Sequence, residues 1–240
     1  MDHRIKVVAM DLDGTLTQHK TPLSPEHRAV LDALSQRYTL LMVGAGQVGR
    51  IFAQMEQYPL DIIGNYGMQY GVYDERTKTV RLEKDLSLPC DREAVEQTVK
   101  TLRERFGYTA YDGESVEFHP SGCVTFPLLG TKAKAEDKLA FDPDRAKRRL
   151  IYREVCEAFP DYCVFVGGSS SFDMAPKPYD KYHALDSYCR EQGLSHENVV
   201  YIGDDYGLGG NDEAVYRSDF PYLTIDDYRR FRETVQVLLA

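Results

Sequence analysis

The segment Ile5-Lys-Val-Val-Ala-Met10 is apolar and β-branched enough for a buried strand, and it runs directly into Asp11-Leu-Asp-Gly-Thr15. A strand passing into an acidic, glycine-containing loop is the reading. The texture then repeats. Ser24-Pro25 offers an N-cap and an N1 proline to a helix carrying Val30, Leu31 and Leu34, and Tyr38 to Val43 reads as a second strand. Val48, Ile51, Phe52 and Met55 follow at helical spacing, and Asp61-Ile-Ile63 is a third short strand. Strands alternating with helices favour a parallel sheet covered on both faces.

The middle of the chain differs. A helix with Val95, Val99, Leu102 and Phe106 on one face precedes strand-like runs at Val116-Glu-Phe118 and Cys123-Val-Thr-Phe126. A second helix with Ile151, Val155 and Phe159 precedes Cys163-Val-Phe-Val166 and Ser171-Phe-Asp-Met174. One helix and two strands, given twice, predict an α+β module with an antiparallel sheet. After Pro178 the first texture returns, with a helix near Ala184, Leu185 and Tyr188, a strand at Val199-Val-Tyr-Ile202 and a closing helix with Phe231, Val235 and Leu238. The expectation is an α/β fold: a doubly wound, mostly parallel core (1–83 and 179–240) interrupted by an α+β insert (84–178).

The balance of 29 Lys+Arg against 38 Asp+Glu, a formal charge of -9, excludes nucleic acid or an anionic membrane as a natural partner. The most basic stretch, Arg145-Ala-Lys-Arg-Arg149, lies in an amphipathic helical pattern and reads as a solvated face. The opening Met1-Asp-His-Arg-Ile-Lys6 does not suit a secretory signal, and the apolar runs are too short to span a bilayer. Five scattered cysteines without a C-x-x-C pair suggest reduced thiols in a cytoplasmic protein.

Ligands of open parallel sheets bind beyond the carboxyl ends of the strands. Asp11/Asp13, Lys181 and Asp204 fall at such ends. Two carboxylates one residue apart in a loop can divide the work, one attacking and the other moving protons; taken alone, Asp13-Gly14 would also suit a hairpin turn. Lys181 opens a helix after Pro176-Lys-Pro-Tyr-Asp180, where it could neutralise a carboxylate or a phosphate oxygen, or simply be a solvated surface lysine. Gly203-Asp-Asp-Tyr-Gly-Leu-Gly-Gly-Asn-Asp212 places four glycines and four carboxylate or carboxamide side chains in ten residues. Such a loop suits a hard cation such as Mg²⁺, though a plain glycine-rich loop has the same composition.

Together these clusters resemble the haloacid dehalogenase (HAD) superfamily. Asp11-Leu-Asp-Gly-Thr-Leu-Thr17 fits its first motif, Lys181 its third, and Gly203-Asp204 with Asn211-Asp212 its fourth, while the insert looks like its type-C2 cap. Within it the chain resembles the eukaryotic-type phosphomannomutases through Val43-Gly-Ala-Gly46, Gly167-Gly-Ser-Ser-Ser-Phe-Asp173 with Asp180-Lys181, and the long Gly-Asp to Gly-Gly-Asn-Asp loop. The resemblance implies catalysis by Asp11, Asp13 and Lys181. Asp11 would be the nucleophile forming an aspartyl-phosphate and Asp13 the acid and base. Mg²⁺ would be held by Asp11, the Asp13 carbonyl and Asp204, with Asp212 near it. A carboxylate attacking a phosphate brings like charges together at about 4 kcal/mol per unit pair near 4 Å, so a cation and a lysine are needed.

Two departures stand out. The second motif's hydroxyl is replaced by Gly46, with Gln47 next; the backbone N–H of Gly46 or the Gln47 amide would have to substitute. In the cap, the arginines that grip a distal phosphate are replaced by His119, Thr131 and Lys138, while Ser171 and Asp173, the sugar contacts, are present, as is a cation at Lys20. A weakened cap favours a Mg²⁺-dependent phosphatase of a small phosphorylated metabolite such as a sugar phosphate. The alternatives are a phosphomannomutase-like mutase and a catalytically silent phosphate-binding protein. The resemblance also allows a homodimer.

Overall fold

A computed structural model describes residues 4–240. Met1 to His3, where the reading of the N-terminus begins, lie outside the described residues. The chain divides into two compact units, the first running to Leu86 and resuming over 180–207 and 212–240, the second comprising 87–179 with 208–211. The first opens with β1 (Val7–Met10), α1 (Pro25–Ser35), β2 (Thr39–Val43), α2 (Val48–Gln54), β3 (Asp61–Gly64), β4 (Gln69–Asp74) and β5 (Thr79–Asp85). The second holds α3 (Arg92–Phe106), β6 (Glu117–Phe118), β7 (Val124–Pro127), α4 (Ala135–Phe141), α5 (Ala146–Ala158), β8 (Tyr162–Phe165) and β9 (Ser171–Pro176). The first resumes with α6 (Lys181–Gln192), β10 (Val199–Gly203), α7 (Glu213–Tyr216), β11 (Tyr222–Thr224), α8 (Phe231–Thr234) and α9 (Gln236–Leu239).

The first unit is a seven-stranded sheet in the order β11-β10-β1-β2-β3-β4-β5, parallel from β11 to β3. Its strands β1, β2, β3 and β10 are apolar runs because both of their faces are covered. Val8 and Met10 turn to a core shared with Val30, Leu31 and Leu34 of α1, whereas Val7 and Ala9 turn to one shared with Ala184, Leu185 and Tyr188 of α6. Ser24 caps α1 as expected, its Oγ accepting from the His27 N–H at 3.1 Å. The antiparallel hairpin β4-β5 extends the sheet beyond what the strand-helix alternation predicts. Its outer strand, Thr-Val-Arg-Leu-Glu-Lys-Asp, carries the charges of a protected edge, with only Val80 and Leu82 as an apolar signal. The predicted closing helix is two short helices parted at Val235, although Phe231, Val235 and Leu238 are buried as the pattern requires. The β-branched pair Thr234-Val235 at the break disfavours continuation.

The second unit is the expected α+β arrangement. An antiparallel sheet, β6-β7-β9-β8, packs Val124, Phe126, Val164, Phe172 and Met174 against Val95, Val99 and Leu102 of α3 and Ile151 and Val155 of α5. The basic stretch Arg145–Arg149 is not the solvated face its pattern suggests. Lys147 is exposed, but Arg148 is 1% exposed. Its Nε donates to Asp142 Oδ2 at 2.8 Å, and its Nη1 donates to the carbonyls of Gly167 (2.6 Å), Ser171 (3.1 Å) and Gly168 (3.2 Å). A guanidinium can be buried where a carboxylate and a turn's carbonyls meet its fixed fork of donors, which helical periodicity cannot register.

Burial raises the Asp142 carboxyl pKa, but Arg148 and the N–H groups of Lys147 and Arg148 outweigh that and hold it low. This pair therefore contributes stability that is complete above the unfolded carboxylate range near pH 4 and is lost as pH falls through the depressed pKa. Arg148→Met, which strands a buried carboxylate, is expected to cost about 3–5 kcal/mol in urea denaturation at pH 7. The gap to the parent should narrow in acid, and Asp142→Asn added to Arg148→Met should recover part of the loss.

Candidate active site

The carboxyl ends of β1, β2 and β10 and the start of α6 bring the core residues together. Asp11 is fixed at the end of β1 by its N–H, which donates to Ile202 O at 3.0 Å, and it is nearly buried. Lys181 opens α6 behind the N-cap Asp180, whose Oδ1 accepts from the His183 N–H at 2.7 Å. Its Nζ donates to Asp11 Oδ1 at 2.6 Å and Asp212 Oδ1 at 2.7 Å, and its side chain is 0% exposed, so the surface-lysine alternative is gone. Asp212 also accepts from the Tyr201 hydroxyl at 2.6 Å and from the Asp205 N–H at 3.0 Å. Thr15 Oγ1 donates to Asp204 Oδ1 at 2.9 Å. Gly14 is required twice over: its φ is +98°, and a Cβ there would lie 2.6 Å from Asp204 Cγ.

Burial pushes the Asp11 carboxyl well above the ordinary range. Lys181 pulls it back, while Asp212 and Asp204 push it further. Asp204 is raised to about 6 by burial and by Asp212. Burial works against the charged form of Lys181, but Asp11 and Asp212 prevail and raise its pKa. Asp11, Asp204 and Asp212 offer carboxylate oxygens within 4.8 Å of one another, and a single ammonium answers three potential negative charges. The Tyr222 hydroxyl, beside Asp212 where both flank Gly203, is buried without a hydrogen-bond partner among the described residues. A surplus of buried, hard oxygen donors is the chemistry a divalent cation such as Mg²⁺ fits.

Asp13, two residues on, has the opposite surroundings. Burial raises its pKa, but it accepts from Gln54 Nε2 at 2.6 Å and from the Lys20 N–H at 2.7 Å, with Arg50 Nη1 at 3.5 Å, and the net shift is downward. Lys20 thus meets Asp13 through its backbone, at a positive φ, while its side chain is exposed. Gly46 ends the loop after β2, its carbonyl accepting from the Asn65 N–H at 2.8 Å, and Gln47 is an exposed N-cap without a side-chain capping bond. The motifs do not point to Gln54 or Arg50. Their only sequence signal is a polar pair at i, i+4 on α2, opposite Val48 and Ile51.

The second unit has its own polar cluster. Thr125 Oγ1 donates to Asp173 Oδ1 at 3.0 Å and meets His119 Nε2 at 3.1 Å; its one proton being spent on Asp173, the His119 Nε2–H is the donor. Burial raises the Asp173 carboxyl pKa. Ser171 Oγ donates to Gly167 O at 3.1 Å within the turn that Arg148 clamps, and a Cβ at Gly167 would collide with the Asp173 carboxylate. Lys138 Nζ donates to Thr131 O at 2.9 Å, and Thr131 Oγ1 accepts from the Glu114 N–H at 2.9 Å. His119 is thus linked to Asp173 through Thr125, Ser171 is held in the neighbouring turn, and Thr131 and Lys138 form a separate pair.

The family model for eukaryotic phosphomannomutase matches residues 28–225. The chain belongs to the eukaryotic phosphomannomutase family. Lys181, Asp204 and Asp212 lie within the matched stretch and Asp11 and Asp13 ahead of it. The chain is similar to the phosphomannomutase of Saccharomyces cerevisiae, 25% identical over 223 residues covering 88% of this chain and 84% of that protein. It is similar also to a probable phosphomannomutase of Caenorhabditis elegans, 22% identical, with 89% and 87% covered. Among solved structures, a Plasmodium falciparum IMP-nucleotidase with IMP bound shares the fold at TM-score 0.69 and 14% identity, over 98% of this chain and 68% of that one. A haloacid dehalogenase-like hydrolase from Bacteroides thetaiotaomicron does so at TM-score 0.53 and 17% identity, over 98% and 99%. This phosphomannomutase-family chain therefore has the HAD-like architecture, a mostly parallel sheet with a separate antiparallel one.

The three clustered carboxylates make a binding prediction. Mg²⁺ should raise the thermal midpoint by mass action, about 2.7 kcal/mol of added stability at a hundred times the dissociation constant. Asp204→Asn should abolish the increment without unfolding the protein, as read by calorimetry with and without EDTA.

Proposed function

We propose that this protein is a Mg²⁺-dependent phosphosugar mutase of the phosphomannomutase type, acting through an aspartyl-phosphate on Asp11. The observation that carries the reading is the buried Lys181, whose ammonium holds one oxygen of Asp11 at 2.6 Å in a chain of this family. One oxygen held in place leaves the other to attack phosphorus while the bond to the leaving oxygen breaks. Asp13, kept largely as a carboxylate by Gln54 and the Lys20 N–H, is set to take the proton of the incoming hydroxyl when phosphate leaves Asp11, and to give that proton to the leaving oxygen when Asp11 is next phosphorylated. Asp11, Asp204 and Asp212, with the Asp13 carbonyl, would hold Mg²⁺, which when bound supplies positive charge for the phosphoryl oxygens. Gly46 and Gln47 border this site, Lys20 supports Asp13, and in the second unit Ser171 and Asp173, backed by His119, are read as the sugar-recognising groups. The five cysteines are free thiols, and none of the described helices is long and apolar enough to cross a membrane.

A phosphatase is the second reading, favoured by a specific observation. The residues aligned with phosphate-gripping arginines carry no guanidinium, and Lys138 and the Thr131 hydroxyl are engaged with Thr131 O and the Glu114 N–H. A mutase must hold a second phosphate while its intermediate turns over; a phosphatase needs only water.

The test is mannose 6-phosphate with Mg²⁺ and a catalytic amount of hexose 1,6-bisphosphate, followed for both isomerisation and phosphate release. Mannose 1-phosphate should dominate, and Asp11→Asn should lower turnover by on the order of 10⁴ or more. Phosphate release without isomerisation would transfer the assignment to the phosphatase. Equal turnover in the Asn variant, or none above it across a panel of phosphorylated sugars, would leave a phosphate-binding protein.

A further inference from the structure

Asp11 is served by Lys181, but that ammonium is fully buried and divided between two carboxylates. A phosphoryl group arriving at Asp11 brings further negative charge and needs donors on its open side. The loop after β2 is the place where the sequence withholds one, since Gly46 has no side chain. That space is taken. A Cβ built on Gly46 would lie 2.5 Å from Arg50 Nε and 2.7 Å from its Cζ, with Nη2 closer still. The guanidinium of Arg50, in the first turn of α2, thus rests on the bare Cα of Gly46. Gln54 Oε1 accepts from its Nη1 at 2.7 Å, and Asp13 Oδ2 lies 3.5 Å away. Its side chain is 41% exposed, so its other face meets solvent. Gly49, between the two in sequence, has nothing within 4 Å of a built Cβ, so an ordinary residue would fit there, whereas any side chain at 46 must displace Arg50.

We infer that Arg50 is a phosphoryl-binding residue: its guanidinium, seated on Gly46 and steadied by Gln54, supplies the donor that position 46 lacks. This rests on Asp11 being the phosphoryl acceptor. It replaces the Gly46 N–H and Gln47 amide as the substitute for the missing hydroxyl. A planar, permanently charged fork suits a phosphoryl group's equatorial oxygens better than one hydroxyl does, and its contact with Asp13 places it within reach of the same group.

The experiment is calorimetric titration of inorganic phosphate in the presence of Mg²⁺, alongside turnover of the same preparations and their urea midpoints. Arg50→Met should weaken phosphate binding about 10- to 100-fold with an unchanged midpoint, and Arg50→Lys should fall between. Gly46→Ser added to Arg50→Met should recover part of the affinity, whereas Gly46→Ser alone displaces the guanidinium and should give no gain, a non-additive cycle. Phosphate affinity in Arg50→Met equal to the parent's overturns the inference, including the case where only the pH profile of turnover moves and Arg50 acts on Asp13 alone. Absence of recovery in the double variant also overturns it. Should Asp11→Asn turn over like the parent, the aspartyl-phosphate reading fails, and the phosphate titration still judges Arg50.

Discussion

The Lys181 ammonium, buried between Asp11 and Asp212, is the interaction on which the rest of the core site depends. Removing one partner of such a group leaves an uncompensated charge inside the protein, a cost of about 3–5 kcal/mol, so the three side chains stand or fall together. They come from β1, from the first residue of α6 and from the loop after β10, segments far apart in sequence that a parallel sheet brings to one edge. The supports of the triad are correspondingly exacting. Tyr201 and the Asp205 N–H complete Asp212, Asp180 starts α6 at the residue before Lys181, and Gly14 leaves room for Asp204.

That arrangement also explains how two carboxylates two residues apart can behave differently. Asp11 faces inward, toward burial, Asp212 and Asp204, and its pKa rises despite Lys181; Asp13 faces N–H donors and Arg50, and its pKa falls despite its own burial. Acid and base roles are assigned by surroundings that separate such a pair, here produced by one turn of loop between Asp11 and Gly14. The donors around Asp13 stabilise its charged form, and Gln54, which also donates to Thr17 Oγ1 at 3.0 Å, ties that effect to the loop itself.

What the sequence makes legible follows from what makes strands and loops. The buried strands β1, β2, β3 and β10 are visible because both of their faces are covered, which turns them into apolar runs, and the acidic ends of β1 and β10 then mark the site. The hairpin β4-β5 is weakly marked for the converse reason: its outer strand has no apolar run, only Val80 and Leu82 alternating among polar and charged residues. Arg148 sits in a helix whose polar residues look like any solvated face, and only the carbonyls of Gly167, Gly168 and Ser171, supplied by a turn about twenty residues away, make its burial possible. Gly46 is legible as a gap. Its occupant is not, because Arg50 becomes its neighbour only when the first turn of α2 folds back over the loop.

The second unit likewise keeps two polar clusters apart. His119, Thr125 and Asp173 form a hydrogen-bonded chain with assigned donors and acceptors, while Ser171 bonds Gly167 O within the turn that Arg148 clamps, and Gly167 lies under the Asp173 carboxylate. Groups of this kind can bond a hydroxyl, since a carboxylate accepts from it and a serine hydroxyl can do either. No guanidinium stands at His119, Thr131 or Lys138, and Lys138 offers a point charge rather than a planar fork. The physical consequence is a unit in which the Asp173 carboxylate is tied into a pre-set hydrogen-bond chain, while the Lys138 ammonium stands apart from it, already engaged with Thr131 O.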